Sequence, residues 1–342
     1  MSEIVDIIKR SGNEALKINK PYGVDFHITE HGSDWLWAVF AMFGFCLVIY
    51  AFIFFFLEKK TTRLMRYALA PAILISFYEF FSYYTYASNL GWAGVHSEFN
   101  HLTVKTSMSG ETPGFRQVFY TKFIAWVLSW PALIVLQELA NVTSTDQDIS
   151  VLELCESLLV QIFGTTIWIV SLLIGTLIHS TYKWGYWTFG AFAMLVTEYV
   201  MIRRQYFTNS SNKFLQLKSF CFMVVMLIVW LYFVCWGLCE GGNVIQPDGE
   251  AVFYGVLDVC LFCFYPIILV VSVYKGGNNP NFTMTGAKGE NHWSVHKHND
   301  EEANAGDDES HGKEVQPDSP RASGATAFQN ENEGENTAEA SV

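Results

Sequence analysis

Five ionisable side chains lie inside long apolar stretches of this sequence, where a charge is costly: Glu79, Lys122, Glu138, Glu198 and Asp258. Buried acids and bases of this kind relay protons, bind ions or hold helices in register. Glu79 and Asp258 lie near the middle of their stretches and are the main candidates for function, with a structural polar network as the alternative. Glu138 is near the end of its stretch, where it can reach the interface. Glu198 precedes Arg203 by about one helical turn and can pair locally with it.

Seven apolar stretches position these residues. The first, from Trp35 to Leu57, contains no charge. Similar runs follow at about 67–92, 117–139, 153–178, 184–202, 217–239 and 251–274. About 20 mostly apolar residues are needed to cross a bilayer as a helix, and backbone polar groups in lipid must be satisfied within each segment. The sequence therefore predicts an all-α membrane protein, a bundle of seven transmembrane helices.

The charge is unevenly distributed along the 342 residues. The formal net charge is −12, and residues 276–342 hold 13 acidic and 4 basic side chains. That segment is too polar to offset its ordering entropy, so we predict a disordered acidic tail over 276–342, with Ser319 as a candidate phosphorylation site. Residues 1–33 form an N-terminal segment and 34–275 the membrane domain. The acidic balance argues against a nucleic-acid partner.

Basic residues in the links between spans predict the orientation. They are concentrated after the first and fifth spans: Lys59, Lys60, Arg63 and Arg66, then Arg203, Arg204, Lys213 and Lys218. The positive-inside rule places these links in the cytoplasm. Seven spans then put the N-terminus outside and the C-terminus in the cytoplasm.

The seven cysteines fall inside or beside apolar runs, and no histidine near them completes a zinc-binding pattern. We interpret them as small apolar fillers of these runs and predict no metal site. No nucleophile and base pair can be named, so the sequence does not indicate an enzyme.

Two segments resemble helices of the microbial rhodopsins. Residues Arg116 to Pro131 resemble their third helix, and Val256 to Phe262 resemble their seventh. Further matches lie in the second, fifth and sixth helices and in an exterior acidic pair: Pro71, Tyr78, Trp187, Met194, Tyr232, Trp236, Glu240 and Glu250. The resemblance spans about 34–275 and implies the seven-helix rhodopsin fold, with pocket residues at Trp126, Ser129, Trp187, Met194 and Trp236.

The departures from this family concern retinal and proton transfer. The seventh-helix lysine that binds retinal in rhodopsins is matched by Phe262, and a phenyl ring cannot form a Schiff base. The third-helix proton acceptor is matched by Ala125, the arginine by Lys122 and the cytoplasmic proton donor by Leu136. The resemblance therefore predicts a protein without covalently bound retinal and not a light-driven pump.

A residual polar cluster is predicted at the centre of the bundle. If Lys122 faces Asp258 as the family's counterparts do, its charge keeps the carboxylate ionised. Tyr78 and Tyr232 then complete the hydrogen bonding of Asp258. Removing one partner of such a buried cluster costs about 3–5 kcal/mol, which makes a purely structural role a strong alternative.

This pattern is similar to the opsin-related proteins of fungi, the group that includes a yeast heat-shock membrane protein. The resemblance implies a multi-pass plasma-membrane protein without a cofactor, an accessory or regulatory factor in membrane stress or proton homeostasis. Its implied partners are the lipid bilayer, the plasma-membrane proton pump or other membrane proteins, and further copies of the chain. One alternative is a light-independent ion or proton transporter that uses Asp258, Lys122, Glu240 and Glu250. Another is a sensor that binds a small apolar ligand between Trp126, Trp187, Trp230 and Trp236.

Overall fold

A computed structural model describes residues 13–56, 63–99, 114–144, 149–206, 213–276 and 282–283. Within these ranges lie seven long helices. Their bounds are Glu30–Phe56 (α1), Arg63–Ala87 (α2), Thr121–Val142 (α3), Val151–Leu177 (α4), Lys183–Tyr206 (α5) and Lys213–Trp236 (α6), which continues as a π-helical turn over Gly237–Gly241. The seventh helix, α7, consists of Pro247–Asp258, a π-helical segment Val259–Phe264 and Tyr265–Gly276. The predicted bundle of seven helices is confirmed.

Five of these helices are both long and apolar enough to cross a membrane by composition, namely α1, α3, α4, α6 and α7. The α2 and α5 helices have 25 and 24 residues. Both therefore exceed the ~20 residues that a span requires. Their lower hydropathy comes from tyrosine, tryptophan and charged side chains. A helix that faces protein partners on one side tolerates such residues.

A β-hairpin between α2 and α3 was not predicted. Strand β1 (Trp92–His96) pairs antiparallel with β2 (Phe115–Phe119), so the predicted spans 67–92 and 117–139 include residues that are not helical. The α2 helix ends at Ala87 because Asn89 and Gly91 then adopt positive φ angles of 58° and 67°. Such left-handed residues terminate a helix.

The hairpin defines one end of the bundle, here called the hairpin end. The N-terminus of α1, the C-terminus of α2 and the first turns of α3 and α7 lie there. At the opposite end, a two-residue strand β3 (Ile149–Ser150) pairs in parallel with β4 (Phe282–Thr283). The hairpin end is the predicted exterior, and the opposite end is the predicted cytoplasmic end.

The N-terminal segment covers the hairpin end. A single-turn helix over Ala15–Ile18 precedes an extended stretch in which Val24, Phe26 and Ile28 are buried. Phe26 forms a bridge with Arg116 of β2. The apolar side chains of this stretch therefore pack on the hairpin and shield the polar residues beneath it from water.

The α7 helix is the central element of the bundle, since it packs against α1, α2, α3 and α6. Large aromatic side chains fill the centre, and the fully buried ones include Trp126, Trp168, Tyr232 and Trp236. Phenylalanine, leucine and valine side chains cover much of the outer faces, as expected for helices that contact lipid.

Candidate functional site

Four charged side chains form a buried network at the hairpin end. The Lys122 ammonium donates to Glu240 at 2.5 Å and also to Glu250. The Arg116 guanidinium donates to the other oxygen of Glu250 at 2.6 Å. All four side chains are at most 3% exposed. Two cations and two carboxylates balance in charge, which is the condition under which ions are tolerated away from water.

Uncharged groups complete this network. Arg116 also donates to the Asn243 side chain at 2.7 Å and to the Ile245 carbonyl at 2.8 Å. The Tyr254 hydroxyl donates to Glu240 at 3.1 Å. Burial by itself lowers the pKa of Arg116, but the adjacent charge of Glu250 more than offsets this, so the pKa lies above its ordinary value.

The predicted position of Lys122 is wrong. We expected it to be a partner of Asp258, but its side chain extends toward the hairpin end, where it bonds both members of the predicted exterior acidic pair. The physical reason is that Lys122 is in the first turn of α3. The nearest buried carboxylates at that depth are Glu240 at the end of α6 and Glu250 at the start of α7.

One group in the described ranges has the spacing of a metal site. Donor atoms of Cys239, Glu240 and Glu250 lie within 4.8 Å of one another. However, the Lys122 ammonium already bonds both carboxylates. A second cation there would meet the positive charges of Lys122 and Arg116, so the geometry favours an ion-pair network.

A second polar cluster surrounds Asp258 in the middle of α7. Its carboxylate accepts three hydrogen bonds, from the Tyr83 hydroxyl at 2.5 Å, the Tyr232 hydroxyl at 2.6 Å and the Trp126 indole at 3.0 Å. The side chain is 1% exposed. Tyr232 is therefore placed as the sequence predicted, and Asp258 has a full set of donors without a lysine.

Tyr78 is not part of this cluster. The tyrosine of α2 that reaches Asp258 is Tyr83, five residues further along. Tyr78 is half-buried and contacts Phe77. The error arises because α2 contains five tyrosines, and sequence alone does not tell which of them faces α7.

Glu79 lies beside this central cluster. One carboxyl oxygen accepts a hydrogen bond from Ser129 at 2.6 Å, and the other has no partner among the described residues. Glu79 is 1% exposed. Ser129, predicted as a pocket residue, thus links α3 to the intramembrane acid of α2.

Aromatic rings occupy the centre of the bundle, where the resemblance to rhodopsins implied a pocket. Phe262 contacts Trp130, Trp130 contacts Trp168, Trp168 contacts Phe233, and Phe233 contacts Trp187. The centroids of successive rings are 5.6–5.9 Å apart. This aromatic chain runs from α7 through α3, α4 and α6 to α5.

The remaining predicted pocket residues lie in or near this chain and have partners of their own. Trp236 donates to Thr176 at 2.7 Å, and Trp187 donates to the Phe233 carbonyl at 3.1 Å. Met194 is buried, and Trp126 contacts Tyr232. These side chains bond or pack against neighbouring residues, as side chains of a packed core do.

The site does not fit covalently bound retinal. Phe262 is 0% exposed and has no amine. The lysine of α7 is Lys275, in its last turn. Lys122 and Lys183 lie at the hairpin end, where they pair with acids. The position that the resemblance assigns to the retinal lysine therefore offers no amine for a Schiff base.

A third network, at the opposite end, consists mainly of amides. Gln137 accepts from Tyr265 and donates to Asn141 and Gln205 at 3.1 Å each. Gln205 donates in turn to Ser219 at 3.1 Å. This network was not predicted, although Gln137 and Asn141 are one turn apart on the same face of α3, a spacing that could have revealed it.

Lys218 belongs to the same end. Its ammonium donates to the Ala140 carbonyl and the Asn141 side chain at 3.1 Å each, and to Ser144 at 3.3 Å. It is 0% exposed. The lysine thus satisfies acceptors at the C-terminus of α3, where the helix dipole favours a cation.

The two remaining intramembrane acids have tertiary partners. Glu138 does not extend to the interface; it is buried and accepts from Arg204 at 3.0 Å and Gln161 at 2.8 Å. Glu198 accepts from Trp230 at 2.8 Å, and Arg203 is exposed, so the expected local pair is absent from the described hydrogen bonds and ion pairs. Both acids connect neighbouring helices.

Several predictions fall outside the described residues. They include the acidic tail beyond Gly276, apart from the two residues of β4, the phosphorylation site Ser319, and the first twelve residues of the N-terminal segment. These remain predictions.

Comparison with known families gives a match over most of the chain. A family model described as bacteriorhodopsin-like protein matches residues 34–276. The 30 kDa heat shock protein of Saccharomyces cerevisiae is 55% identical over 317 residues, which are 92% of each chain. The opsin-like protein carO of Fusarium fujikuroi is 33% identical, over 72% of this chain and 76% of that protein.

Solved structures agree on the fold. A light-driven proton pump from Leptosphaeria maculans is similar with a TM-score of 0.59 and 19% identity, over 74% of this chain and 98% of that one. The light-driven proton pump of Coccomyxa subellipsoidea gives a TM-score of 0.58 at 19% identity, over 72% of this chain and 99% of that one. At this identity the likeness concerns the fold alone.

Proposed function

This chain belongs to the bacteriorhodopsin-like protein family, and from that premise we propose that it is a member that works without retinal and does not pump protons with light. The observation that carries the proposal is the aromatic chain through the bundle centre. Phe262 fills the lysine position, and its ring packs on Trp130 at 5.9 Å. A side chain without an amine, held in a closely packed core, leaves no attachment point.

The proton path of a pump also lacks support. Ser129, which bonds Glu79 beside the central cluster, is the last polar residue of α3 on this side, and the amide network begins at Gln137, eight residues or about 12 Å further along the helix. The inward side chains between them are apolar and buried: Trp130, Leu133, Ile134 and Leu136. A cavity of about 10 Å³ in this layer has at most the volume of a single water molecule.

These observations favour a structural or accessory role over light-independent transport. A transporter would need a hydrated route between the clusters at Asp258 and Gln137. The ligand-sensor alternative is weakened by the same aromatic chain, because its rings occupy the space that an apolar ligand would need. A small molecule that copurifies and is identified by mass spectrometry would revive it.

We further propose that the protein acts in the stress response of the plasma membrane. The support is its 55% identity to a protein named for heat shock, over 92% of both chains. In this proposal the membrane domain contacts lipid and other membrane proteins, among them the plasma-membrane proton pump and further copies of the chain. The acidic tail serves as a cytoplasmic docking segment.

The absence of retinal is tested by reconstitution. The full-length protein, purified in detergent, is mixed with all-trans retinal, and the absorption spectrum is recorded before and after denaturation. The Leptosphaeria maculans pump, treated in parallel, serves as the positive control. We expect no visible band from this chain; a visible band that survives denaturation as a protein adduct would contradict the proposal.

The stress role is tested in the organism that encodes the chain. We expect the protein to increase in abundance after a heat shift and to colocalise with a plasma-membrane marker. Unchanged abundance after heat and ethanol stress would overturn the stress assignment, and localisation to an internal membrane would overturn the plasma-membrane assignment.

A further inference from the structure

Two cysteines on different helices are in contact inside the bundle. The Sγ atoms of Cys46 on α1 and Cys263 on the π-helical segment of α7 are 3.1 Å apart. Both are free thiols, and they are 7% and 2% exposed. A disulfide bond has a length of about 2.05 Å. The two sulfur atoms would therefore have to move about 1 Å closer to form a covalent bond.

The second close pair of thiols provides an internal comparison. Cys235 and Cys239 are 3.8 Å apart, one turn apart on α6 and its π-helical extension. Neighbours of that spacing on one helix have Cβ atoms about 5–6 Å apart, whereas a disulfide needs about 3.5–4.5 Å. Backbone geometry thus opposes a bond within α6. Cys46 and Cys263 lie on separate helices, which can approach by a small shift.

The local backbone and a nearby hydroxyl favour reaction at the α1–α7 pair. Cys263 lies in the π-helical segment Val259–Phe264, a type of helix turn that recurs at functional sites. Tyr50 follows Cys46 by one turn on the same face of α1. Its buried hydroxyl has no hydrogen-bond partner among the described residues. That hydroxyl lies near both sulfurs and bonds neither of them in the reduced protein, so it is an available donor for an anion formed there.

We propose that Cys46 and Cys263 are an intramembrane oxidation site that a peroxide converts to a disulfide. One thiol loses its proton, attacks a peroxide oxygen and breaks the O–O bond, which gives a sulfenic acid and releases water. The sulfur of the second thiol attacks the sulfenic sulfur, the S–S bond forms, and a second water leaves. Two thiols are oxidised and one hydrogen peroxide is reduced to two waters. Hydrogen peroxide is small and uncharged and can enter the bilayer.

The environment sets the rate of this reaction. An apolar surrounding disfavours the thiolate that attacks the peroxide, so the pair reacts more slowly than an exposed thiol. The hydrogen bond that one sulfur donates to the other stabilises the attacking anion. Once formed, the bond ties α1 to the segment of α7 that contains Phe262 and follows Asp258.

The test uses the full-length protein, purified with reductant and then freed of it. Samples with and without hydrogen peroxide are blocked with N-ethylmaleimide, digested and analysed by mass spectrometry without reduction. We expect a peptide in which Cys46 is joined to Cys263. It should disappear on treatment with dithiothreitol and be absent from the Cys46→Ala and Cys263→Ala variants.

Cys155 supplies the matched control, because it is exposed and lies on α4. Cys155→Ala should remove any peroxide-dependent dimer on a non-reducing gel and leave the joined peptide unchanged. A melting curve of each reduced variant establishes that it is folded. The proposal is overturned if Cys46 and Cys263 of folded wild-type protein are recovered fully alkylated after peroxide has oxidised Cys155.

Discussion

The two ends of the bundle bury polar groups in different ways. At the hairpin end, Arg116 and Lys122 pair with Glu240 and Glu250 through charged hydrogen bonds as short as 2.5–2.6 Å. At the opposite end, the network around Gln137 consists mainly of neutral amides and hydroxyls at about 3.1 Å. An N-terminal cover shields the first network, whereas the second lies close to the ends of its helices.

The difference indicates which region fixes the arrangement of the helices. Buried charges that lose one partner are destabilising, since the remaining ion has no water to replace it. Neutral groups near a helix end can exchange a lost partner for water at a smaller cost. The charged network joins β2, α3, α6 and α7. We therefore expect the hairpin end to tolerate substitution much less than the opposite end.

The largest expected effect is that of Glu250→Gln. The glutamate bonds both Arg116 and Lys122, so its neutralisation leaves two buried cations with one carboxylate. We expect the free energy of unfolding to fall by about 3–5 kcal/mol, measured by titration with a denaturing detergent.

Asp248→Asn is the matched control. This acid is also in the first turn of α7, but it bonds Thr29 in a solvent-accessible position. Its loss should cost about 1 kcal/mol or less. If the two substitutions lowered the free energy of unfolding equally, the buried charged network at the hairpin end would be no more important for stability than the solvent-accessible acid beside it.

A smaller effect is expected in the centre. Asp258→Asn replaces one acceptor oxygen by an amide that faces the hydroxyl and indole donors of Tyr83, Tyr232 and Trp126. We expect a loss of about 1–3 kcal/mol and a lower melting temperature in detergent. An unchanged melting temperature would show that the central cluster does not hold the helices together.

Two tyrosine variants sharpen this test. Tyr83→Phe removes a hydroxyl that bonds Asp258 and should lower the melting temperature. Tyr78→Phe, on the same helix, should leave it unchanged. The reverse order would support the sequence-based assignment of Tyr78 and contradict the geometry described above.

The smallest effect is expected at the opposite end, for Lys218→Met. The substitution keeps an unbranched side chain that is one atom shorter, and it removes three hydrogen bonds to acceptors at and just after the end of α3. Because one of these acceptors, Ser144, is only partly buried and the acceptors are uncharged, we expect a loss of about 1 kcal/mol. A loss as large as that of Glu250→Gln in the same titration would contradict the expectation that the hairpin end contributes more to stability than the opposite end.

Sequence predicted the helices better than their ends. Runs of about 20 apolar residues have one stable form in lipid, so all seven helices were predicted. The hairpin was not, since Trp92, Ala93, Val118 and Phe119 are as apolar as the spans beside them. The positive φ angles of Asn89 and Gly91 end the helix before the strand begins. Backbone angles of this kind cannot be read from the composition of an apolar run.

The site was predicted in its residue types but not in its pairings. Asp258, Tyr232, Glu240 and Glu250 all lie in buried polar clusters. The direction of a long side chain cannot be read from its position, however, and Lys122 extends away from Asp258. The contact between Cys46 and Cys263 joins residues 217 positions apart, which no local pattern predicts.

We propose that this rhodopsin-like bundle does not move protons. The most direct measurement is the internal pH of liposomes that contain the full-length protein, with and without all-trans retinal, in light and in darkness. The Leptosphaeria maculans pump provides the positive control. We predict a trace identical to that of protein-free liposomes under every condition. A pH change that requires the protein and disappears in Asp258→Asn would contradict this account.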